Sequence, residues 1–90
     1  MMNGFIVEAL TVNKPVYVSN TSPLVWTSDR SKSKIFNSYK LTKFELEDNF
    51  ISLSTTIKYT AVVSIFILEI QNGIEIGRER FIWSTYIQKN

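Results

Sequence analysis

The stretch ILEIQNGIEIGRERFIWS, residues 67–84, decides the fold because it predicts two antiparallel strands joined by a tight turn. Asn72-Gly73 is the dipeptide that best tolerates positive φ at both centres of a type I′ turn, the turn that closes two-residue β-hairpins. From Ile57 onward the chain is also rich in β-branched and aromatic side chains, which favour strands. We therefore predict a long C-terminal hairpin over Tyr59–Ile87, at the centre of a sheet.

The positions of the apolar side chains in this hairpin predict a β-bulge. With a regular two-residue turn, Ile65 would lie opposite Arg80, and the apolar side chains of the two strands would fall on different faces. If Gly77 begins a bulge, one extra residue shifts the pairing so that Ile65 lies opposite Phe81. The bulged register gathers the apolar side chains that we predict to form the core face: Ala61, Val63, Ile65, Ile67, Ile76, Phe81 and Trp83.

The opposite face of the hairpin is also apolar and needs a cover. A single short helix covers only one face of a small sheet, so this cover comes from the N-terminal strands, from a second copy of the chain or from a foreign partner. If the cover is a second copy or a foreign partner, this face is a protein interface, most simply that of a homodimer. We then predict that Phe66 is its anchor and that Arg80 lies at its rim. The residues of this predicted interface are Val62, Phe66, Leu68, Arg80 and Ile82.

The N-terminal part of the sequence predicts a meander of three strands. Turn-forming residues at Asn13–Pro15 and Asn20–Pro23 separate segments with strand composition, Gly4–Leu10, Val16–Ser19 and Leu24–Ser28. Together with the hairpin, these strands predict an α+β fold built on a twisted antiparallel sheet of four to five strands. One short helix completes it.

That helix is predicted over Asn37–Phe50. Asn37 or Ser38 is positioned to cap its first free N–H groups. The spacing of Leu41, Phe44 and Ile51 lets their side chains share one face, which we expect to pack on the sheet.

The composition predicts a single domain over residues 1–90 without catalytic machinery. A chain of 90 residues with 44% hydrophobic and 20% charged residues is globular and forms one core. The sequence holds no cysteine and no histidine, which excludes disulfides, thiolate or imidazole nucleophiles and bases, and most zinc sites. We interpret Glu69, Glu75 and Glu79 as surface charges, since catalytic carboxylate pairs work in deep clefts. We expect no enzyme, no cofactor and no metal.

The location predicted from the sequence is cytoplasmic. The start of the chain lacks the basic region, apolar run and cleavage site of a secretory signal. The longest apolar run, Ala61–Leu68, is far shorter than the roughly 20 residues of a membrane-spanning helix. We expect no membrane association.

A basic and aromatic stretch carries an alternative function. Arg30, Lys32 and Lys34 follow Trp26 closely, and such a set can track phosphates while an aromatic ring stacks on a base. A small nucleic-acid-binding module is therefore the alternative hypothesis. Two observations argue against nucleic-acid binding. The net charge is only +2, and acidic residues nearby neutralise much of the positive charge of this basic stretch.

The run WTSDRSKSKIFNSYKLTKFE, Trp26–Glu45, resembles a pattern found in small bacteriophage proteins, most of them uncharacterised. Ser33 stands where that pattern usually has alanine, and Thr42 stands where it has a second small residue. The resemblance implies an accessory protein that acts on host machinery, since phage proteins of this size often inhibit a host or defence enzyme by occupying its surface. The function we predict is that of a non-enzymatic interaction protein in the host cytoplasm, with another protein as its partner.

Overall fold

Five antiparallel strands and one α-helix make up the described part of the chain, residues 2–49 and 62–81 of a computed structural model. The fold is α+β, as predicted. A short 3₁₀ helix precedes the α-helix. In chain order the elements are β1 (Gly4–Thr11), β2 (Val16–Thr21), β3 (Leu24–Thr27), the 3₁₀ helix (Arg30–Lys32), α1 (Tyr39–Asp48), β4 (Val62–Gln71) and β5 (Ile74–Arg80).

The central strand of the sheet is β1, not the hairpin. The strand order is β3-β2-β1-β4-β5, so the hairpin of β4 and β5 forms one edge and our prediction of a central hairpin was wrong. The strands that bury side chains on both faces are β1, with Ile6 and Val7, and β4, with Ile67 and Leu68, whereas β5 is largely exposed. A strand that buries both faces needs layers above and below it, and the middle of the sheet provides them. The predicted N-terminal meander of β1, β2 and β3 is confirmed.

The hairpin has the predicted turn and the predicted register. Asn72 and Gly73 have φ values of 53° and 78°, the positive pair that a type I′ turn requires. Beyond the bulge, the amide of Phe81 donates a hydrogen bond of 2.8 Å to the carbonyl oxygen of Ile65. The shifted pairing of Ile65 with Phe81 is therefore confirmed.

The bulge itself differs from the prediction in two respects. Its extra residue is Ile76, because Glu75 pairs with Ile70 and Gly77 pairs with Glu69. Ile76 points outward and is 53% exposed, so its place on the predicted core face was wrong. Gly77 does not have a positive φ, and a Cβ at that position would meet no atom within 4 Å, so the bulge does not require glycine there.

Two apolar layers cover the two faces of the sheet. The larger layer lies on the side of α1, called here the helix face, and its buried residues are Val7, Ala9, Val18, Phe36, Leu46, Ile65, Ile67 and Phe81. The smaller layer lies on the other side, called the second face, and consists of Ile6, Tyr17, Leu68 and Ile70 with Met2 and Phe66 at its margin. The predicted core residues Ala61 and Trp83, and the side chain of Val63, lie outside the described residues.

Helix α1 begins where the sequence predicts. Ser38 is the N-cap, and its hydroxyl accepts a hydrogen bond of 3.0 Å from the amide of Leu41. The helix extends to Asp48, two residues short of the predicted end.

The face that α1 turns to the sheet was predicted wrongly. Leu41 and Phe44 are 41% and 61% exposed, whereas Thr42 and Leu46 are completely buried. Thr42 can be buried because its hydroxyl donates a hydrogen bond of 2.7 Å to the carbonyl oxygen of Ser38, which leaves no unpaired donor. Its small side chain also lets the helix approach the sheet closely. Ile51, the third member of the predicted face, lies outside the described residues.

The chain between the two helices is fastened to β1 at Phe36. The amide of Phe5 donates to the carbonyl oxygen of Phe36 at 2.9 Å, and the amide of Phe36 donates back to Phe5 at 2.8 Å. Gly4 makes this close approach feasible, since a Cβ at Gly4 would lie 2.6 Å from the Phe36 carbonyl oxygen and 2.7 Å from a methyl carbon of Ile35. Gly4 also has a φ of 135°, which other residues rarely adopt.

Substitution of Ile65 by alanine tests the register of the hairpin. Ile65 is completely buried, so Ile65→Ala should lower the free energy of unfolding by roughly 2–5 kcal/mol through lost burial and a residual cavity. The matched control is Ile76→Ala in the same hairpin. Because the side chain of Ile76 is half-exposed, this substitution should lower the free energy of unfolding by less than about 1 kcal/mol. Chemical denaturation measures both; equal losses would contradict the observed bulge.

Substitution of Gly4 by alanine tests the contact between β1 and Phe36. We expect Gly4→Ala to lower the free energy of unfolding by on the order of 1–3 kcal/mol, because the new methyl group meets a backbone oxygen and the backbone is strained. Gly77→Ala is the control and should change stability by less than about 1 kcal/mol. If the two variants unfold at the same denaturant concentration, Gly4 does not have this role.

Candidate interaction surfaces

The second face of the sheet carries a buried carboxylate. Glu8 lies in the middle of β1, is only 3% exposed, and sits between Tyr17 on β2 and Phe66 on β4 in the strand register. A buried charge is costly unless charged or polar partners replace the water it has lost. The side chains around Glu8 are therefore the first candidates for a functional cluster.

Three side chains supply those partners. The hydroxyl of Tyr17 donates a hydrogen bond of 2.9 Å to Oε2 of Glu8, and a guanidinium nitrogen of Arg30 lies 3.3 Å from the same oxygen. A guanidinium nitrogen of Arg78 lies 3.3 Å from Oε1. Oε1 accepts no hydrogen bond from the described residues, so Arg78 stabilises this oxygen by charge rather than by a directed bond.

Glu75 joins the two arginines. Its Oε1 lies 3.3 Å from Arg30, while Arg78 donates to Glu75 from Nε at 2.8 Å and from Nη2 at 3.0 Å. This bidentate contact is the strongest geometry available to an arginine and a carboxylate. Arg78, with Arg30 beside it, holds the pKa of Glu75 below its ordinary value. We call Glu8, Tyr17, Arg30, Glu75 and Arg78 the charged network.

The charged network also covers the apolar second face. The guanidinium carbon of Arg30 lies 5.3 Å from the centre of the Tyr17 ring, and that of Arg78 lies 5.1 Å from the centre of the Phe66 ring. Cations stack on aromatic faces at such distances, and the methylene stems of arginine shield apolar surface. Side chains of the same chain therefore cover part of this face, Arg30 from the 3₁₀ helix and Arg78 from the hairpin itself, whereas the N-terminal strands lie beside the hairpin in one sheet and do not curl over it.

This cover changes the predicted protein interface. Leu68 is fully buried inside the chain, so it has no surface to offer a partner and its place in the interface was wrong. Phe66 is half-buried with Arg78 over its ring, and Arg80 is exposed opposite Phe66. The side chain of Val62 and all of Ile82 lie outside the described residues.

The residues of the nucleic-acid hypothesis do not form one surface. Trp26 lies opposite Val18 and packs against the helix-face layer, whereas Arg30 lies over Tyr17 on the second face. The sheet thus separates the aromatic ring from the first cation.

Of the two lysines of that hypothesis, Lys34 lies on the side of Trp26, because both contact the helix-face layer, and it is thus separated from Arg30. Lys34 donates to the Thr21 hydroxyl at 3.3 Å and lies over the Phe36 ring at 5.5 Å. Lys32 is exposed at the end of the 3₁₀ helix.

The outer side of α1 is the other candidate surface. Leu41 and Phe44 are exposed and three residues apart, so their side chains are neighbours on one side of the helix. Together with Ser38 and Lys40 they border a shallow hollow of about 300 Å³. We call these four residues the helix patch.

Sequence reasoning missed the charged network, although one signal for it was present. A single glutamate interrupts the apolar strand FIVEAL, and a charge at such a position predicts burial beside cations. Which cations would meet it depends on the path of the chain, because Arg30 and Arg78 are 22 and 70 residues away from Glu8 in sequence.

Within residues 2–49 and 62–81, no helix is long and apolar enough to cross a membrane. The same part of the chain holds no group of three or more acidic, histidine or cysteine side chains placed to hold a metal ion.

Comparison with protein-family models, with curated proteins and with solved structures gave no significant match to this chain.

The acid sensitivity of the fold tests the charged network. Because the pKa of Glu75 is lower in the folded chain than its ordinary value of 4.5, its ion pairs stabilise the fold above that pH, and the stabilisation is lost as pH falls below it. Glu75→Gln should therefore lower the free energy of unfolding at neutral pH. It should also make the further decrease from neutral to acid pH smaller than in the unmodified chain. Denaturant unfolding at several pH values measures this.

The matched control for this experiment is Glu69→Gln on the neighbouring strand. The Glu69 carboxylate is exposed and makes no ion pair in the described part of the chain. Glu69→Gln should lose as much stability between neutral and acid pH as the unmodified chain does. If both variants lose the same amount, Glu75 does not have the role described.

Proposed function

We propose that this chain is a non-enzymatic interaction protein that binds another protein through the helix patch. The observation that carries the proposal is the exposure of Leu41 and Phe44 on α1. A surface helix normally buries its apolar side chains and presents polar ones to water. Here the fully buried residues of the helix are Thr42 and Leu46, while Leu41 and Phe44 are 41% and 61% exposed.

Phe44 is the natural anchor of such an interface. Burial of a large apolar side chain contributes roughly 1.5–3 kcal/mol, and binding energy concentrates on a few such residues at the centre of an interface. Leu41 extends the apolar area beside it, and the shallow hollow between the two gives a partner side chain a place to enter.

The charges around the patch indicate the chemistry of the partner. Lys40 borders the patch, and Lys43 is exposed beside Phe44 in the same helix. Opposite charges at the rim of an interface select the partner and speed association. The surface that fits is therefore apolar where it meets Leu41 and Phe44 and carries an acidic group where it meets Lys40.

The narrower proposal is a phage-encoded modulator or inhibitor that acts on a host or defence protein in the host cytoplasm. Support comes from the resemblance of Trp26–Glu45 to small bacteriophage proteins, because the whole helix patch lies inside that segment. A protein of this kind works by occupying a surface, and an exposed apolar patch is the feature such a role needs.

A pull-down with matched variants tests the proposal. The tagged chain is incubated with bacterial lysate, and the captured proteins are compared between the unmodified chain, Phe44→Ser and Val12→Ser. Val12 is the control because it is the most exposed large apolar side chain among the described residues, at 71%, and lies in the turn after β1. Phe44→Ser should weaken retention roughly ten- to a hundredfold, the loss expected for one buried anchor. Val12→Ser should leave retention unchanged.

Three results would contradict the proposal. One is a captured protein that both variants retain equally. Another is sedimentation at micromolar concentration that shows a dimer abolished by Phe44→Ser, because the helix patch would then bind a second copy. The last is oligonucleotide binding that falls steeply with salt, because that result would favour the nucleic-acid alternative.

A further inference from the structure

A second hollow lies on the helix face, between α1 and the hairpin. Its volume is about 340 Å³, close to the lower end of the roughly 300–1,000 Å³ typical of ligand sites. The hollow shares no residue with the helix patch. Its lining residues are Phe5, Tyr39, Ile67, Glu69, Gly77, Arg78 and Glu79, and we call it the hairpin groove.

The groove combines an aromatic wall with an acidic rim. The rings of Phe5 and Tyr39 meet edge to face, with their centres 6.4 Å apart and their planes at 75°. Glu69 and Glu79 are exposed and lie on the two strands of the hairpin. Burial and the nearby carboxylate of Glu79 raise the pKa of Tyr39, in keeping with a carboxylate close to that hydroxyl.

The charge of this groove is not balanced from within. Among the described residues that line it, the one cation is Arg78, which is bound to Glu75 at 2.8 Å and lies over Phe66 on the second face. The carboxylate of Glu69 has no ion pair in the described part of the chain. The groove therefore presents net negative charge beside aromatic rings, a combination that attracts cations by charge and by their affinity for aromatic faces.

We propose that the hairpin groove is a docking site for a lysine or arginine side chain carried by an extended segment of a partner protein. Its small volume suits one long side chain rather than a cofactor. The groove also lies beside β5, an edge strand whose outer backbone groups have no strand partner among the described residues. An extended segment can therefore lie along that edge while its cationic side chain enters the groove.

Gly77 provides a direct way to close the groove. It lies opposite Glu69 on the helix face, and a Cβ there would point into space with no atom within 4 Å. A leucine at this position fills the hollow without removing any charge. The substitution therefore separates occupation of the groove from general attraction to an acidic surface.

The experiment titrates the full chain with two capped tripeptides, acetyl-Gly-Arg-Gly-amide and its citrulline analogue, and follows backbone amide shifts by NMR. We expect weak, saturable binding of the arginine peptide, with shifts centred on Tyr39, Gly77 and Glu79, and no binding of the uncharged analogue. Gly77→Leu should abolish the shifts. A double variant, Glu69→Gln with Glu79→Gln, should weaken binding at least fivefold and decides the question if Gly77→Leu does not fold.

Two control variants make the result specific. Asp48→Asn removes an exposed carboxylate at the end of α1, and Phe44→Ser alters the helix patch. Neither should change binding of the arginine peptide, so this test is independent of the function proposed for the helix patch. The proposal is overturned by equal binding of the citrulline peptide, by equal weakening in Asp48→Asn, or by absence of saturable binding to the unmodified chain.

Discussion

The carboxylate of Glu8 is the constraint on which the second face depends. It is buried in the central strand, where an unpaired charge would destabilise the fold by several kcal/mol. Its neutralisation brings together Arg30, which follows β3, and Arg78 from the last strand, so one charge fixes the positions of two distant segments. The arginines that satisfy Glu8 then lie over Tyr17 and Phe66 and shield the apolar surface beneath them.

The elements with strong local signals could be predicted from the sequence. Asn72-Gly73 determines its turn through backbone conformation alone. In a regular register the apolar side chains on either side of the turn would fall on different faces, which was enough to predict the shift. Ser38 determines the start of α1 in the same local way, by capping a free amide. In each case the physical cause lies within a few residues of the effect.

The features that could not be predicted depend on contacts between distant segments. Leu41 and Phe44 have the spacing of a buried helix face, yet α1 buries Thr42 because a small side chain with an internally satisfied hydroxyl packs closely on the sheet. The charged network likewise needs the fold before Glu8 meets Arg78. Both candidate interaction sites depend on such contacts. The helix patch is the side of α1 that does not pack on the sheet, and the hairpin groove forms where Tyr39 lies next to the hairpin.

The bulge at Ile76 has a consequence for self-association of the sheet. β5 is an edge strand, and a long regular edge strand is a template on which another chain can add a strand and start an aggregate. An extra residue breaks the regular spacing of the outward N–H and C=O groups, and Arg78, Glu79 and Arg80 place alternating charges immediately after it. Within the described sheet, the residue that brings Ile65 opposite Phe81 thus limits the run of regular backbone hydrogen bonds that an added strand can form at β5, which leaves room for a short extended segment but not for a long copy of the same strand.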